Sequence, residues 1–240
     1  MRQSRPPTNI QRKARIGIIG TGKMAFALGK AFLAAGYFVA FGSRKPETKN
    51  QFHEMVGDES KVYGIQAAID AGQIIIITIP YSQVAETVRK FANSLKGKVV
   101  IDITNPFTAQ PNDGSSGAQV TARIIGEKAR VVAAFKTNFA ETISEPKDSS
   151  DKPREVHYAG DDQDAKDIVA GLIEEIGFSP VDCGTLAQSV TLDHMVPLMI
   201  RLDESRHGTS RKSSWRIASP YNWFSALGIS TRTFLTRPSP

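Results

Sequence analysis

The residues best placed to do chemistry begin at Gly20-Thr21-Gly22-Lys23-Met24-Ala25, which follows the apolar run Ile16-Gly17-Ile18-Ile19 and opens a helical stretch. The pattern is G-x-G-x-x-A. Glycine at 20 permits a tight turn out of a buried strand, glycine at 22 lets an anion approach the backbone, and the small Ala25 lets helix and strand pack closely. Unpaired N–H groups at the helix start, on the positive end of its dipole, would hold a pyrophosphate. The chemistry implied is dinucleotide binding.

A second group chooses the dinucleotide. About 20 residues beyond the glycine turn, an acid would accept from the ribose 2′-OH of NAD, whereas hydroxyls and cations would hold the 2′-phosphate of NADP. The chain reads Gly42-Ser43-Arg44-Lys45-Pro46, with no carboxylate before Glu47. NADP is therefore favoured; Ser43 can donate to the phosphate and Arg44 can lie flat over the adenine. A charged surface turn built on Gly42 and Pro46 is the plainer alternative.

Further candidates stand at strand ends, where ligands of this fold class bind. Thr78, Pro80 and Tyr81 follow the aliphatic run Ile74-Ile75-Ile76-Ile77 and would border the cofactor. Asn105, in Thr104-Asn105-Pro106, could hydrogen-bond a nicotinamide carboxamide or belong to a simple turn. Lys136 follows Val131–Phe135 and is either a cation facing an anionic ligand or a solvated lysine. His194 beside Asp193 is either half of a proton relay or a histidine at a ligand or interface. Asp161 and Asp162 suit a helix N-terminus better than a metal.

The elements that must position these groups alternate strand and helix. Strands are expected at Arg15–Ile19, Tyr37–Phe41, Lys61–Gly64, Ile74–Ile79, Val99–Ile103, Val131–Phe135, Glu155–Ala159 and Ser179–Asp182. Helices are expected from Met24 to Ala35 and at Thr48–Met55, Gln66–Ala71, Tyr81–Phe91, Gln119–Gly126 and Asp164–Ile176. A final helix begins after Thr185 and is kinked or shortened by Pro197. Gln110–Gly117 reads as a mobile loop and Glu145–Arg154 as a polar connection. The class is α/β: a Rossmann-type, doubly wound, mostly parallel sheet with a short C-terminal helical extension. Residues 15–200 form the NADP-binding domain, 1–14 a disordered basic extension, and 201–240 a basic tail that includes the aromatic cluster Tyr221-Asn222-Trp223-Phe224.

Charge follows this division. The net charge is +6, yet residues 1–15 hold five Arg/Lys and no acid, and 201–240 hold seven against two acids. Between them, 16–200 carries 18 basic and 22 acidic residues. The body lacks the basic excess expected of a nucleic-acid reader. One cysteine, Cys183, excludes an internal disulfide and a Cys-rich zinc cluster, and a reducing cytoplasm is the simplest compartment. No apolar run approaches the roughly 18 residues of a membrane helix. Lys23, Lys30 and the glycine turn interrupt what would be a signal peptide; an organelle transit peptide is a second reading of Met1–Ala14.

Gly20–Ala25, Gly42-Ser43-Arg44, Asn105-Pro106, Ala134-Phe135 and Val181-Asp182-Cys183-Gly184-Thr185-Leu186 together resemble the NADPH-dependent deazaflavin-coenzyme oxidoreductases. The cytoplasmic oxidoreductase domain of the six-transmembrane metalloreductases is a close relative of that family. The resemblance covers residues 14–200. It implies a Rossmann domain that binds NADPH and passes hydride to a flavin or deazaflavin acceptor stacked on the nicotinamide, with ferric iron a conceivable final acceptor. It assigns Gly20, Gly22 and Ala25 to the pyrophosphate, Ser43 and Arg44 to the 2′-phosphate, and Asn105 to the nicotinamide edge. The family's usual Ala-Phe-Asn-Thr appears as Ala134-Phe135-Lys136-Thr137, no membrane segment follows, and Glu204–Arg216 has no counterpart.

The expected function is a soluble NADP(H)-dependent oxidoreductase with a small-molecule electron acceptor, a homodimer being one open assembly. An imine reductase similar to the pyrroline-carboxylate reductases is an alternative within the enzymes. Those proteins continue into a long all-helical region where Glu155–Asp182 reads strand-helix-strand. A non-catalytic NADP(H) sensor is the alternative from another class.

Overall fold

The computed structural model describes residues 13–48, 61–107, 110–208 and 213–216. Its first unit is β1 (Ile16–Ile19), α1 (Lys23–Ala34) and β2 (Val39–Ser43), followed by β3 (Lys61–Gly64), α2 (Ile65–Ala71) and β4 (Ile74–Ile77). Then come α3 (Val84–Leu95), β5 (Val99–Asp102), α4 (Gly117–Ile125), β6 (Arg130–Ala133) and the short α5 (Ala140–Ile143). β7 (Glu155–Gly160), α6 (Gln163–Glu175), β8 (Ser179–Asp182) and α7 (Ser189–His207) complete the order.

One eight-stranded sheet results, in the order β3-β2-β1-β4-β5-β6-β7-β8. Neighbours are parallel except β6 and β7, which run antiparallel. From β1 the chain winds outward through β2 and β3, then returns to place β4 on the other side. The β1/β4 boundary is thus the switch point at which such sheets bind ligands. β1 and β4 pair from Ile16↔Ile74 to Ile19↔Ile77.

Side chains alternate between the two faces of these fully buried strands with the period of two that a pleated strand imposes. Ile16, Ile18, Ile74 and Ile76 pack with Leu28, Phe32 and Phe41 on one face. Ile19, Ile75 and Ile77 pack with Ile69, Val84 and Val88 on the other. Apolar side chains are needed on both faces because helices cover both, which explains an unbroken isoleucine run.

Several boundaries differ from the sequence reading. β2 begins and ends two residues later than expected, because it pairs with β1 on one side and β3 on the other, up to Ser43↔Gly64. Ser43 is therefore a strand residue rather than part of a turn. α7 continues past Pro197, so of the two readings, kinked or shortened, the helix is not shortened there, and it also crosses residue 200. Gln110–Gly117, where described, is a bonded turn: Asp113 accepts from Ser115 N–H and Oγ–H and pairs with Arg123, and Ser116 makes a capping box with Gln119.

Beyond α7, the described residues 213–216 bond back to the body. Ser213 N–H donates to Asp203, Arg154 donates to Ser214, and Arg216 pairs with Asp148. Most of the expected helix at Thr48–Met55, nearly all of the 1–14 extension and the aromatic cluster at 221–224 lie outside the described residues. Among the described residues, no helix is long and apolar enough to cross a membrane.

Candidate active site

A cleft of about 680 Å³ opens at the carboxyl ends of β1, β2 and β4, and it brings together Gly20, Thr21, Gly22, Ser43, Arg44, Lys45, Thr78 and Pro80. Gly20 leaves β1 at φ +125, a region L-residues rarely adopt, and a Cβ there would stand 2.4 Å from Thr78 Oγ1. That hydroxyl is committed to the fold, donating to Ile19 O at 2.8 Å. Gly22 then caps α1 without a side-chain hydrogen bond, and the first turn of the helix contains no acid. The N–H groups of Lys23, Met24 and Ala25 have no intrahelical acceptor, so the helix presents donors and positive potential to the cleft.

At the β2 end, Ser43 is buried and its Oγ accepts from Lys45 N–H at 3.1 Å. Its own proton remains to be donated. Arg44 is exposed. Gln83 and Thr87 also line the cleft, a pair the sequence reading missed. Their i,i+4 spacing at the start of the helix after β4 is the signal that could have found them.

The remaining predicted residues lie elsewhere. Ala25 is fully buried under the turn and Met24 packs against the core. Lys23 lines a neighbouring cleft of about 560 Å³ with Phe26, Ala140, Glu141 and Ser144. Tyr81 lays its ring over Gly117 at the start of α4, and burial, with Asp102 and Asp193 adding, pushes its hydroxyl pKa up. Pro106 is buried.

Asn105 and Lys136 belong to a second, buried cluster at the ends of β5 and β6. Asp102, fully buried, accepts from Thr104 N–H at 2.8 Å, Thr104 Oγ1 at 2.7 Å and Thr121 Oγ1 at 2.6 Å. Lys136 is neither a solvated lysine nor a cation facing the cleft: it is 1% exposed, donates to Thr104 O, and pairs with Asp193 Oδ1 at 2.6 Å. Asp193 Oδ2 accepts from Gly117 N–H at 3.0 Å. Burial raises the Asp193 pKa, and Lys136 and the Gly117 N–H oppose the rise. Asn105 Nδ2 donates to Lys136 O at 3.0 Å, while its Oδ1 is buried without a partner.

His194 is exposed. Adjacent helix residues do not share a face, and Asp193 is already engaged, so the Asp193–His194 relay does not form. Asp102, Thr104, Gly117, Thr121 and Asp193 were not anticipated as a cluster, since no local pattern joins positions so far apart.

Residues 15–106 match the family described as NADP oxidoreductase, coenzyme F420-dependent. The F420-dependent NADP reductase of Methanocaldococcus jannaschii is 30% identical over 210 residues, covering 79% of this chain and 92% of that protein. Metalloreductase STEAP3 of Rattus norvegicus is 26% identical over 189 residues, which span 78% of this chain and 37% of that one. A candidate F420-dependent NADP-reductase from Arthrobacter sp. fb24 superposes with a TM-score of 0.78 at 21% identity, over 86% of this chain and 100% of its own. At that identity the likeness concerns the fold. The archaeal relative, matched along nearly its whole length, extends the kinship well past the motif-bearing strands: this chain belongs to the family of coenzyme F420-dependent NADP oxidoreductases.

Proposed function

We propose that this chain moves hydride between NADPH and a deazaflavin of the coenzyme F420 type. Residues 15–200 would be its NADP-binding domain, and Gly20–Ala25, Ser43–Lys45, Thr78, Pro80, Tyr81, Asn105 and Pro106 its cofactor residues. The observation that carries this reading is Gly22. Its φ of −90 and ψ of −174 are open to any residue, and no protein atom stands within 4 Å of where its Cβ would be. The fold by itself does not require glycine there. A pyrophosphate drawn onto the α1 donors does, because a methyl group would hold it away from the backbone.

The other residues fit the same group. Ser43 keeps a proton to donate and Arg44 is exposed to form charge-assisted bonds, which suits a 2′-phosphate. The unpartnered Asn105 Oδ1 suits an amide donor. The bound cofactors would carry the bond changes themselves, a hydride from the nicotinamide and a proton from solvent going to the deazaflavin. The protein's part is to hold the rings in contact, which needs no acid–base triad. Neither the buried Lys136 nor the exposed His194 has to supply a proton.

The reading is tested by following NADPH and NADH oxidation against a panel of 8-hydroxy-5-deazaflavin, FMN, a ferric chelate and a cyclic imine. NADPH oxidation with the deazaflavin is expected to exceed the others. Stoichiometric NADPH binding without turnover on any acceptor would identify a sensor and overturn it. Fastest turnover with the imine would favour the reductases of that class.

A further inference from the structure

The buried Lys136–Asp193 pair has no role in the reading above, yet the Lys136 carbonyl holds the amide of Asn105, whose Oδ1 is buried without a partner. The chain leaves β6 through Phe135, which is buried and sits at φ +55. A bulky residue rarely adopts the left-handed region, and one that does is held there by its surroundings. Here the ring packs edge-on against Phe178, and Phe135 O accepts from Asn138 N–H at 3.2 Å. Just after this turn, Lys136 uses two groups at once. Its carbonyl accepts from Asn105 Nδ2, and its ammonium reaches Thr104 O and Asp193 on α7.

The amide of Asn105 is thereby oriented. With Nδ2 donating to Lys136 O, the atom left over is Oδ1, a pure acceptor. A ligand at this place must present a hydrogen-bond donor, and a carboxamide N–H is one. The adjoining backbone is fixed from the other side by the three bonds that Asp102 accepts.

We propose that Lys136 and Asp193 are positioning residues: their ion pair ties α7 to the β5 and β6 ends, holding the Lys136 carbonyl against Asn105 so that Asn105 Oδ1 accepts from the carboxamide N–H of the nicotinamide. This rests on the NADP reading above and specifies its nicotinamide end. The charge matters to the position because a buried ammonium must stay within reach of its carboxylate, which ties the Lys136 backbone to α7.

The test uses the full chain and the double variant Lys136→Met/Asp193→Asn, which keeps the side-chain volumes while removing both charges. Removing the pair together avoids an unpaired buried charge and is expected to leave a folded protein. Calorimetry would compare NADPH with adenosine 2′,5′-bisphosphate, which lacks the nicotinamide half. In the unaltered chain NADPH should bind more tightly than the bisphosphate. In the double variant bisphosphate affinity should be unchanged and the NADPH advantage should disappear. Single-turnover hydride transfer should fall about tenfold or more, as expected when a reacting ring loses its alignment.

Asn105→Ala should show the same losses, and adding it to the double variant should change nothing further, since both act through one amide. A double variant that folds and keeps the NADPH advantage would overturn the positioning role. Should the double variant fail to fold, Asn105→Ala alone decides: retention of the advantage overturns the proposal and its loss supports it. If the unaltered chain binds neither compound, the NADP reading itself fails and takes the proposal with it.

Discussion

Two cations stand just past strand ends in this sheet, and their surroundings differ in almost every respect. Arg44 follows β2, is exposed on the cleft, and has beside it the buried hydroxyl of Ser43. Lys136 follows β6, is buried, and is engaged by Asp193 and Thr104. The difference runs through the two halves of the site. At the β1–β2 end, binding groups are backbone donors and exposed side chains, costing the fold little to keep ready. At the β5–β6 end, charges have been taken out of water and are used up within the protein. Among the described residues, every buried Asp, Lys and His lies beyond β4: Asp102, Lys136, His157, Lys166, Asp193 and Asp203.

If that contrast is sound, removing a charge should affect stability at one end and ligand binding at the other. The largest effect is expected from Asp193→Ala, which strands the Lys136 ammonium in the interior and should cost about 3–5 kcal/mol in chemical denaturation. A loss below about 1 kcal/mol, the range of exposed pairs, would break the comparison.

Arg44→Asp should leave stability within about 0.5 kcal/mol. It should weaken NADPH binding by about 1.5–3 kcal/mol, the worth of hydrogen bonds to a charged group, with NADH little affected. Unchanged preference for NADPH in calorimetry would remove Arg44 from the site.

The two glycines sharpen the same point within one turn. Gly20→Ala must strain φ and meet Thr78, so it should destabilise the chain by about 1–3 kcal/mol. Gly22→Ala should melt at the same temperature as the parent and yet bind NADPH more weakly. Equal melting losses for both would mean that Gly22 serves the fold after all.

The smallest effect is a pH dependence. Burial lowers the His157 pKa below its ordinary 6.5, with Glu155 at 3.5 Å opposing. Below pH 6.5 the unfolded chain therefore takes up a proton that the folded one resists, and stability falls as pH drops through this window. His157→Gln should flatten the melting temperature between pH 6.5 and the folded-state pKa. An unaltered slope would assign it to other groups.

What was legible in the chain was legible locally. The glycine turn, the cationic end of β2 and the isoleucine run each occupy a few consecutive residues. Their physics is local too: a φ angle, a helix terminus, a strand covered on both faces. Errors arose where the sheet overrode local signals. Turn-forming Gly42 and Pro46 suggested that β2 ends at Phe41, but pairing with β1 and β3 carries it to Ser43. Of the kinked or shortened helix that Pro197 implied, shortening does not occur: α7 continues past it, the buried faces of Leu192, Val196 and Met199 holding the helix in place. The four-residue α5 is too short to have a period.

The sequence by itself determined the α/β class, the phosphate turn and the preference for NADP, because each depends on residue types at fixed short spacing. Only the tertiary structure decided what Lys136 does. A lysine at a strand end is equally compatible with solvent, a ligand or a carboxylate. The choice was made when α7 brought Asp193 to within 2.6 Å of it, a contact between residues 57 positions apart in the chain. Proximity of that kind is set by how helices pack on a finished sheet, and no local pattern encodes it.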